Sequence, residues 1–288
     1  MNQEIRPLVS CFIVGPGRGT PEQRELVAEE PLTIFVGDQP VATLMRTPGD
    51  EVDLAMGFLL TEGIVGSPAD IGAISFCTQG GLSGRNEVRV ALAEGARARR
   101  LPAPRRVFSS CGVCGTEMIE EIAADIPPFE RPPRRLAAED LFALAEAMRR
   151  GQKMFQHTGG THAAALARPP VKAGCECIVR EDLGRHNALD KAVGAAAQRG
   201  MLAPLDRARG APRRVEQTPG LALLLSGRLS FEMVAKAARA GISEVAGVSA
   251  PSALAVELAR RLNMFLSGFV RERTLTIYSD TDALRQEA

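Results

Sequence analysis

The sequence predicts an α/β protein in which strands and helices alternate through the C-terminal part, with a smaller α+β unit ahead of them. Three observations carry that expectation. The chain has 288 residues, 45 % hydrophobic and 24 % charged, the balance of an ordinary globular protein with material for a large core. Short apolar runs alternate with amphipathic stretches beyond residue 220. Before residue 110, a hairpin pattern leads into a helical one and then into two more strand patterns.

Leu32 to Val36 and Val41 to Met45 read as strands joined at Gly37-Asp38, a dipeptide suited to a hairpin turn. Asp50 to Leu60 opens with acidic residues that favour a helix N-terminus, and Val52, Met56 and Leu59 recur at helical spacing. Ile71 to Cys77 and Asn86 to Leu92 complete this unit as strands. Three stretches rich in Pro, Arg and Gly read as solvated loops: 96–106, 126–135 and 203–220. Between the last two, Ala137 to Arg150 predicts a helix with Leu141, Leu144, Ala145 and Met148 along one face. Leu221 to Leu225 predicts a buried strand, Phe231 to Ala240 a helix, Glu244 to Val248 a strand, Ala253 to Leu262 a helix, and Leu275 to Tyr278 the closing strand. Such a run implies a parallel sheet, and ligands on parallel sheets lie beyond the carboxyl ends of the strands, here the turns at Ser226 and Ser249.

Composition excludes several classes. Lys+Arg 35 against Asp+Glu 34 leaves a formal charge of +1, too little for a nucleic-acid binder held by its overall field. No Trp and one Tyr argue against a base-stacking platform. Lysine stands only at Lys153, Lys172, Lys191 and Lys236, so the cations are mostly arginine. Six cysteines in a chain of this length are far from the density of a secreted disulfide scaffold and read as reduced thiols. The N-terminal residues lack a signal-peptide pattern and no apolar run approaches a membrane span, so a cytoplasmic location without membrane association is expected.

The sharpest motif is Cys111-Gly-Val-Cys114, with glycine on both sides of Cys114 and Thr116 placed to cap a helix through Met118, Ile119 and Ile122. A thiol just ahead of a helix N-terminus gains thiolate character, the nucleophilic form. Spacing alone leaves zinc binding, redox exchange and sulfur relay open. Zinc sites pair two such motifs, and the other close pair, Cys175-Glu-Cys177, is shorter; two small buried residues on one strand face would look the same. A zinc deaminase needs His-x-Glu upstream of Pro-Cys-x-x-Cys, yet His157, His162 and His186 all lie downstream and Ser110 replaces the proline.

Other motifs surround chemistry-bearing residues. Thr158-Gly-Gly-Thr-His162-Ala reads as a tight turn into a buried strand, with His162 in small apolar surroundings. Glu181-Asp-Leu-Gly-Arg-His186-Asn-Ala-Leu-Asp190-Lys191 gathers ionic groups at a helix start, and Asp190 falls one turn after His186, suited to orienting the imidazole. Ser226-Gly-Arg228 and Phe269-Val270-Arg271-Glu272-Arg273-Thr274 add hydroxyl and guanidinium donors near the sheet's carboxyl edge, which together suit an anionic ligand.

Taken in order with Glu29-Glu-Pro, Gly57-Phe-Leu-Leu-Thr-Glu-Gly and Gly268-Phe-Val-Arg, these motifs resemble the FdhD/NarQ family over residues 25–278. The resemblance implies a cytidine-deaminase-like mixed sheet flanked by helices, with a smaller α+β subdomain over 31–125 leading into the Cys-x-x-Cys loop and a main cofactor-binding domain over 126–288 with 1–30. It further implies a sulfurtransferase required for formate dehydrogenase, taking sulfur from a cysteine desulfurase as a persulfide and passing it to the molybdenum bis(molybdopterin guanine dinucleotide) cofactor, with a guanine nucleotide as a mimic. Cys111 matches the family's persulfide cysteine and Cys114 its partner. Phe269 through Thr274 match the cofactor-binding segment, beside which Ser226 and Arg228 are expected to contribute. No resident metal is expected; a homodimer is. The alternative is a cofactor-binding chaperone that moves no sulfur, and a zinc-stabilised binding module is a third reading.

Overall fold

The computed structural model describes residues 7–13, 20–77, 86–98, 120, 124, 126–129, 136–172, 174–202 and 220–279. Cys111, Cys114 and the helix expected after Thr116 lie outside the described residues, apart from Glu120 and Ala124. So do most of the 126–135 and 203–220 stretches.

In chain order, β1 (Leu8–Ile13) and β2 (Thr20–Glu25) form an antiparallel hairpin. They are followed by β3 (Glu30–Val36), β4 (Gln39–Arg46), α1 (Glu51–Thr61), β5 (Ile71–Cys77) and β6 (Glu87–Leu92). Then come α2 (Ala138–Gly151), α3 (Lys153–Thr158), β7 (His162–Ala167), β8 (Cys177–Asp182) and α4 (Arg185–Gln198). The last series is β9 (Ala222–Leu225), α5 (Phe231–Arg239), β10 (Glu244–Gly247), α6 (Ala253–Arg261), β11 (Phe265–Arg271) and β12 (Thr274–Ser279).

The larger sheet has the order β12-β11-β10-β9-β7-β8, with β9, β10 and β11 parallel and the flanking strands antiparallel. Its central strands are continuous apolar runs because both faces are covered. Leu223, Leu225, Ala164 and Leu166 alternate into one core layer with α4, α5 and α6, while Ala222, Leu224, Ala163 and Ala165 face α2 on the other side. The smaller sheet, ordered β4-β3-β6-β5, turns Leu32, Ile34, Val88 and Val90 into the same core layer as α1. This mixed α/β architecture, with mixed sheets flanked by helices, is the expected fold class. No helix among the described residues is long and apolar enough to cross a membrane.

Two placements differ from expectation. The strand that completes the parallel run is β11, and Leu275 to Tyr278 belongs to its antiparallel partner β12. Ser267 and Gly268 interrupt the apolar pattern of β11, so it escapes periodicity, although both are buried. The β1–β2 hairpin had no signal either, since Thr20–Glu25 is polar and largely exposed.

The helices are joined by close approach and by buried charge. A Cβ on Gly57 would overlap the Asp190 carbonyl, and one on Gly194 would overlap the Asp53 carbonyl, so α1 and α4 touch backbone to backbone. At the same crossing, Lys236 of α5 reaches Asp190 at 2.8 Å and Glu62 at 2.9 Å, and Thr61 donates its hydroxyl to Asp190 at 2.7 Å. A second buried pair, Lys191 with Asp182 at 2.8 Å, ties α4 to Thr47, whose carbonyl accepts from Lys191 and whose N–H donates to Asp182.

Candidate functional site

The carboxyl edge of the parallel strands collects five segments. β9 ends at Ser226, β10 at Val248-Ser249, and β11 at Phe269 to Arg271; antiparallel β7 starts there with His162, and β8 ends there with Asp182, opposite His162. Backbone hydrogen bonds stitch the segments together. The Ser226 N–H donates to Ala163 O, Val248 N–H to Leu225 O, Leu229 N–H to Ala250 O, and Phe269 N–H to Ser249 O.

Ser226 and His162, remote in sequence, are neighbours: Ser226 Oγ accepts the Ala163 N–H at 2.9 Å and stands 3.5 Å from His162 Nδ1. Gly227 is a glycine for a local reason, because a Cβ there would lie 3.3 Å from the His162 ring and 3.5 Å from Arg185 Cδ. Burial, then the charges of Arg185 and His186, hold the His162 imidazole below its ordinary value, so it is neutral at pH 7 and offers an acceptor nitrogen. Arg185 Nε is buried with no hydrogen-bond partner among the described residues. Arg185 belongs to the Glu181–Lys191 motif, but only the packing of α4's first turn against Gly227 brings it to this site.

The Glu181–Lys191 motif divides between scaffold and site. Glu181 accepts the Met154 and Phe155 N–H groups at 2.8 Å each and the Thr161 hydroxyl at 2.7 Å. Asp182 accepts from Gly184 and Asn187 as well as Lys191. Asp190 does not orient His186 as expected. It turns inward to Lys236 and Thr61, and His186 Nε2 lies instead 2.9 Å from Glu232 Oε2 of α5. A one-turn spacing puts two residues on one helix face, but α4 is buried nearly all round, so Asp190 found a partner on another helix.

Arg228, Arg271 and Arg273 are exposed and, among the described residues, make no ion pair. Glu272 is exposed beside them and Val270 is buried in the α2-facing layer. Arg271 pairs with Thr274 where β11 turns into β12, so the expected segment is an irregular hairpin overhanging the sheet edge. Phe269 adopts φ 53°, a left-handed conformation that costs a side-chain-bearing residue about 1–2 kcal/mol. It sits in a register shift between β11 and β12 that leaves its ring exposed. Gly268 permits this by bringing the backbone against the next turn, since a Cβ would stand 2.9 Å from Ser249 O. The structure thus groups Ser226 with His162 and Arg185 and joins the Phe269 backbone to the Ser249 turn; the described contacts do not bridge Arg228 to Arg271 or Arg273. Among the described residues no cluster of three His, Cys, Asp or Glu could hold a metal.

The family model for the FdhD/NarQ family matches residues 27–285. The chain belongs to the FdhD/NarQ family. Its relatives include the sulfur carrier protein FdhD of Mycolicibacterium paratuberculosis, 41% identical with 99% of this chain and 100% of that protein covered. That of Streptomyces coelicolor is 41% identical over 91% of this chain and 90% of its own. A crystal structure of a formate dehydrogenase accessory protein from Desulfotalea psychrophila superposes with a TM-score of 0.72 at 21% identity, covering 97% of this chain and 99% of that one, which establishes the shared fold.

Proposed function

We propose that this FdhD/NarQ family protein is a sulfur carrier that serves formate dehydrogenase, with Cys111 as the acceptor and Cys114 as its partner. The observation that carries this reading is end-to-end similarity to relatives named as sulfur carriers, in a chain with Cys111-Gly-Val-Cys114. The Cys111 thiolate attacks the terminal sulfur of a cysteine desulfurase persulfide; the S–S bond breaks and the desulfurase cysteine leaves as a thiolate. The sulfur is then handed to the molybdenum bis(molybdopterin guanine dinucleotide) cofactor, which is cargo here and not a resident group.

The carboxyl edge suits that cargo. Arg228, Arg271 and Arg273 are exposed guanidiniums without carboxylate partners among the described residues, available for bidentate phosphate contacts, and the exposed Phe269 ring offers a face for a guanine base. Ser226 and Thr274 add hydroxyl donors beside them. We place the protein in the cytoplasm as a homodimer, a state that sedimentation would test directly.

Persulfide mapping tests the sulfur step. After incubation with a cysteine desulfurase and cysteine, mass spectrometry should find one added sulfur on the peptide bearing Cys111, absent from Cys111→Ala. A Cys111→Ala protein that loads sulfur normally refutes the assignment, and a wild-type protein that binds the cofactor but acquires no sulfur supports a chaperone.

A further inference from the structure

Cys177 opens the edge strand β8 and Cys175 stands two residues before it, away from the carboxyl edge, since Cys177 pairs with Ala167 at the far end of β7. Side chains two apart on one strand face are separated by about 7 Å along the strand. Here the two sulfurs are 3.7 Å apart, in van der Waals contact and free of any disulfide. The backbone causes the difference. Gly174 takes φ 84°, and the Cys175 N–H donates to Lys172 O at 3.0 Å, so the chain turns sharply into β8 and brings Cys175 back over Cys177. Both thiols are half-buried, which leaves them reachable from solvent.

We propose that Cys175 and Cys177 form a reversible dithiol–disulfide pair, with Cys175 attacking a small-molecule disulfide and Cys177 resolving the adduct. In the first step the Cys175 thiolate bonds to one sulfur of oxidised glutathione and a glutathione thiolate leaves. In the second the Cys177 thiolate attacks the Cys175 sulfur of that mixed disulfide, expelling a second glutathione thiolate. Two protein thiols are oxidised and one glutathione disulfide is reduced to two thiols, so electrons balance. The order follows from the surroundings. Burial, then the hydrogen bond and charge of Cys175, push the Cys177 thiol up to about 11, which disfavours it as the first nucleophile and leaves it the resolving step, where contact at 3.7 Å offsets its low ionisation. The sulfurs need only approach from contact distance to the roughly 2.0 Å of a disulfide bond. This site is independent of sulfur carriage by Cys111.

Lys172 and Arg180 bound a single tryptic peptide, 173–180, that contains both cysteines and no others. Native protein treated with oxidised glutathione should yield this peptide two hydrogens lighter and resistant to iodoacetamide, with dithiothreitol restoring both thiols. Cys177→Ser should accumulate the glutathione adduct at Cys175. Cys175→Ser should form an adduct at Cys177 about tenfold more slowly at pH 7, because burial, the largest cause of its raised value, persists without Cys175. Wild-type peptide that remains fully alkylatable after oxidation, or that is found bridged to another cysteine of the chain, overturns the proposal. Equal adduct rates in the two serine variants overturn the assigned order. The wild-type measurement needs no variant to fold, and it is unaffected if Cys111 carries no sulfur.

Discussion

Replacing Asp190 by alanine should destabilise the protein by about 3 kcal/mol, towards the lower end of the range for breaking a buried ion pair. The carboxylate is 1% exposed and bonds Lys236 at 2.8 Å and Thr61 at 2.7 Å. Its loss strands an ammonium that is itself 4% exposed. The lower end applies because Lys236 keeps Glu62 at 2.9 Å and the Phe58 ring at 5.4 Å. Lys236→Met acts differently. Burial already pushes the Asp190 carboxyl up, against the pull of Lys236 and Thr61, so without the ammonium Asp190 takes up a proton. A carboxyl raised in the folded state favours folding at low pH and loses that contribution as pH rises through its folded value, so the Lys236→Met deficit should shrink on acidification. The double variant Asp190→Ala/Lys236→Met removes both charges and should cost clearly less than the sum of the two single losses. Urea unfolding of the four proteins closes the cycle. Additive losses, or an Asp190→Ala loss below about 1 kcal/mol, would refute the view that these two groups stabilise each other.

Three further outcomes are expected. Gly194→Ala should cost about 3 kcal/mol or more in thermal or urea unfolding, because the added methyl meets the Asp53 carbonyl of α1 and backbone cannot yield as a side chain can; a loss under about 1 kcal/mol would show that the helices part freely. His162 should titrate below its ordinary value in a histidine NMR series. Its depressed folded value adds stability that is complete above the ordinary value and lost as pH falls through the folded one, so His162→Gln should flatten the acid limb of the stability profile. Arg228→Ala, Arg271→Ala and Arg273→Ala should each weaken guanine nucleotide binding roughly tenfold by isothermal titration while leaving unfolding unchanged, since all three are exposed and none makes an ion pair among the described residues; unchanged affinity in all three would remove the phosphate-binding role of this edge.

Elements with a clean period were legible from sequence. The Leu32–Val36 hairpin strand, α1, α2 and the β9-α5-β10-α6 run fall within a few residues of their expected places. β11 was not legible, because it buries the polar Ser267 and because Gly268 is hemmed in by the Ser249 carbonyl, and neither constraint is local. The charged motif from Glu181 to Lys191 was legible as a cluster but not as a division of labour. Nothing in its spacing says that Asp190 holds helices together and that Asp182 and Lys191 tie α4 to Thr47, whereas Arg185 and His186 stand beside Gly227 and Glu232. Lysine also gains meaning from packing. Two of the four lysines, Lys191 and Lys236, are the buried ones, each with its compact ammonium against a buried carboxylate.

By itself the sequence determined the α/β class, through periods that local sterics and burial impose on strands and helices, and the family, through motifs whose order is independent of their contacts. Only the tertiary structure decided which polar groups share an environment: His162 with Ser226, Asp190 with Lys236, Cys175 with Cys177. Pairing depends on distance and solvent exclusion in three dimensions, and residues 64 positions apart in the chain, such as His162 and Ser226, leave no trace of a 3.5 Å contact in their spacing.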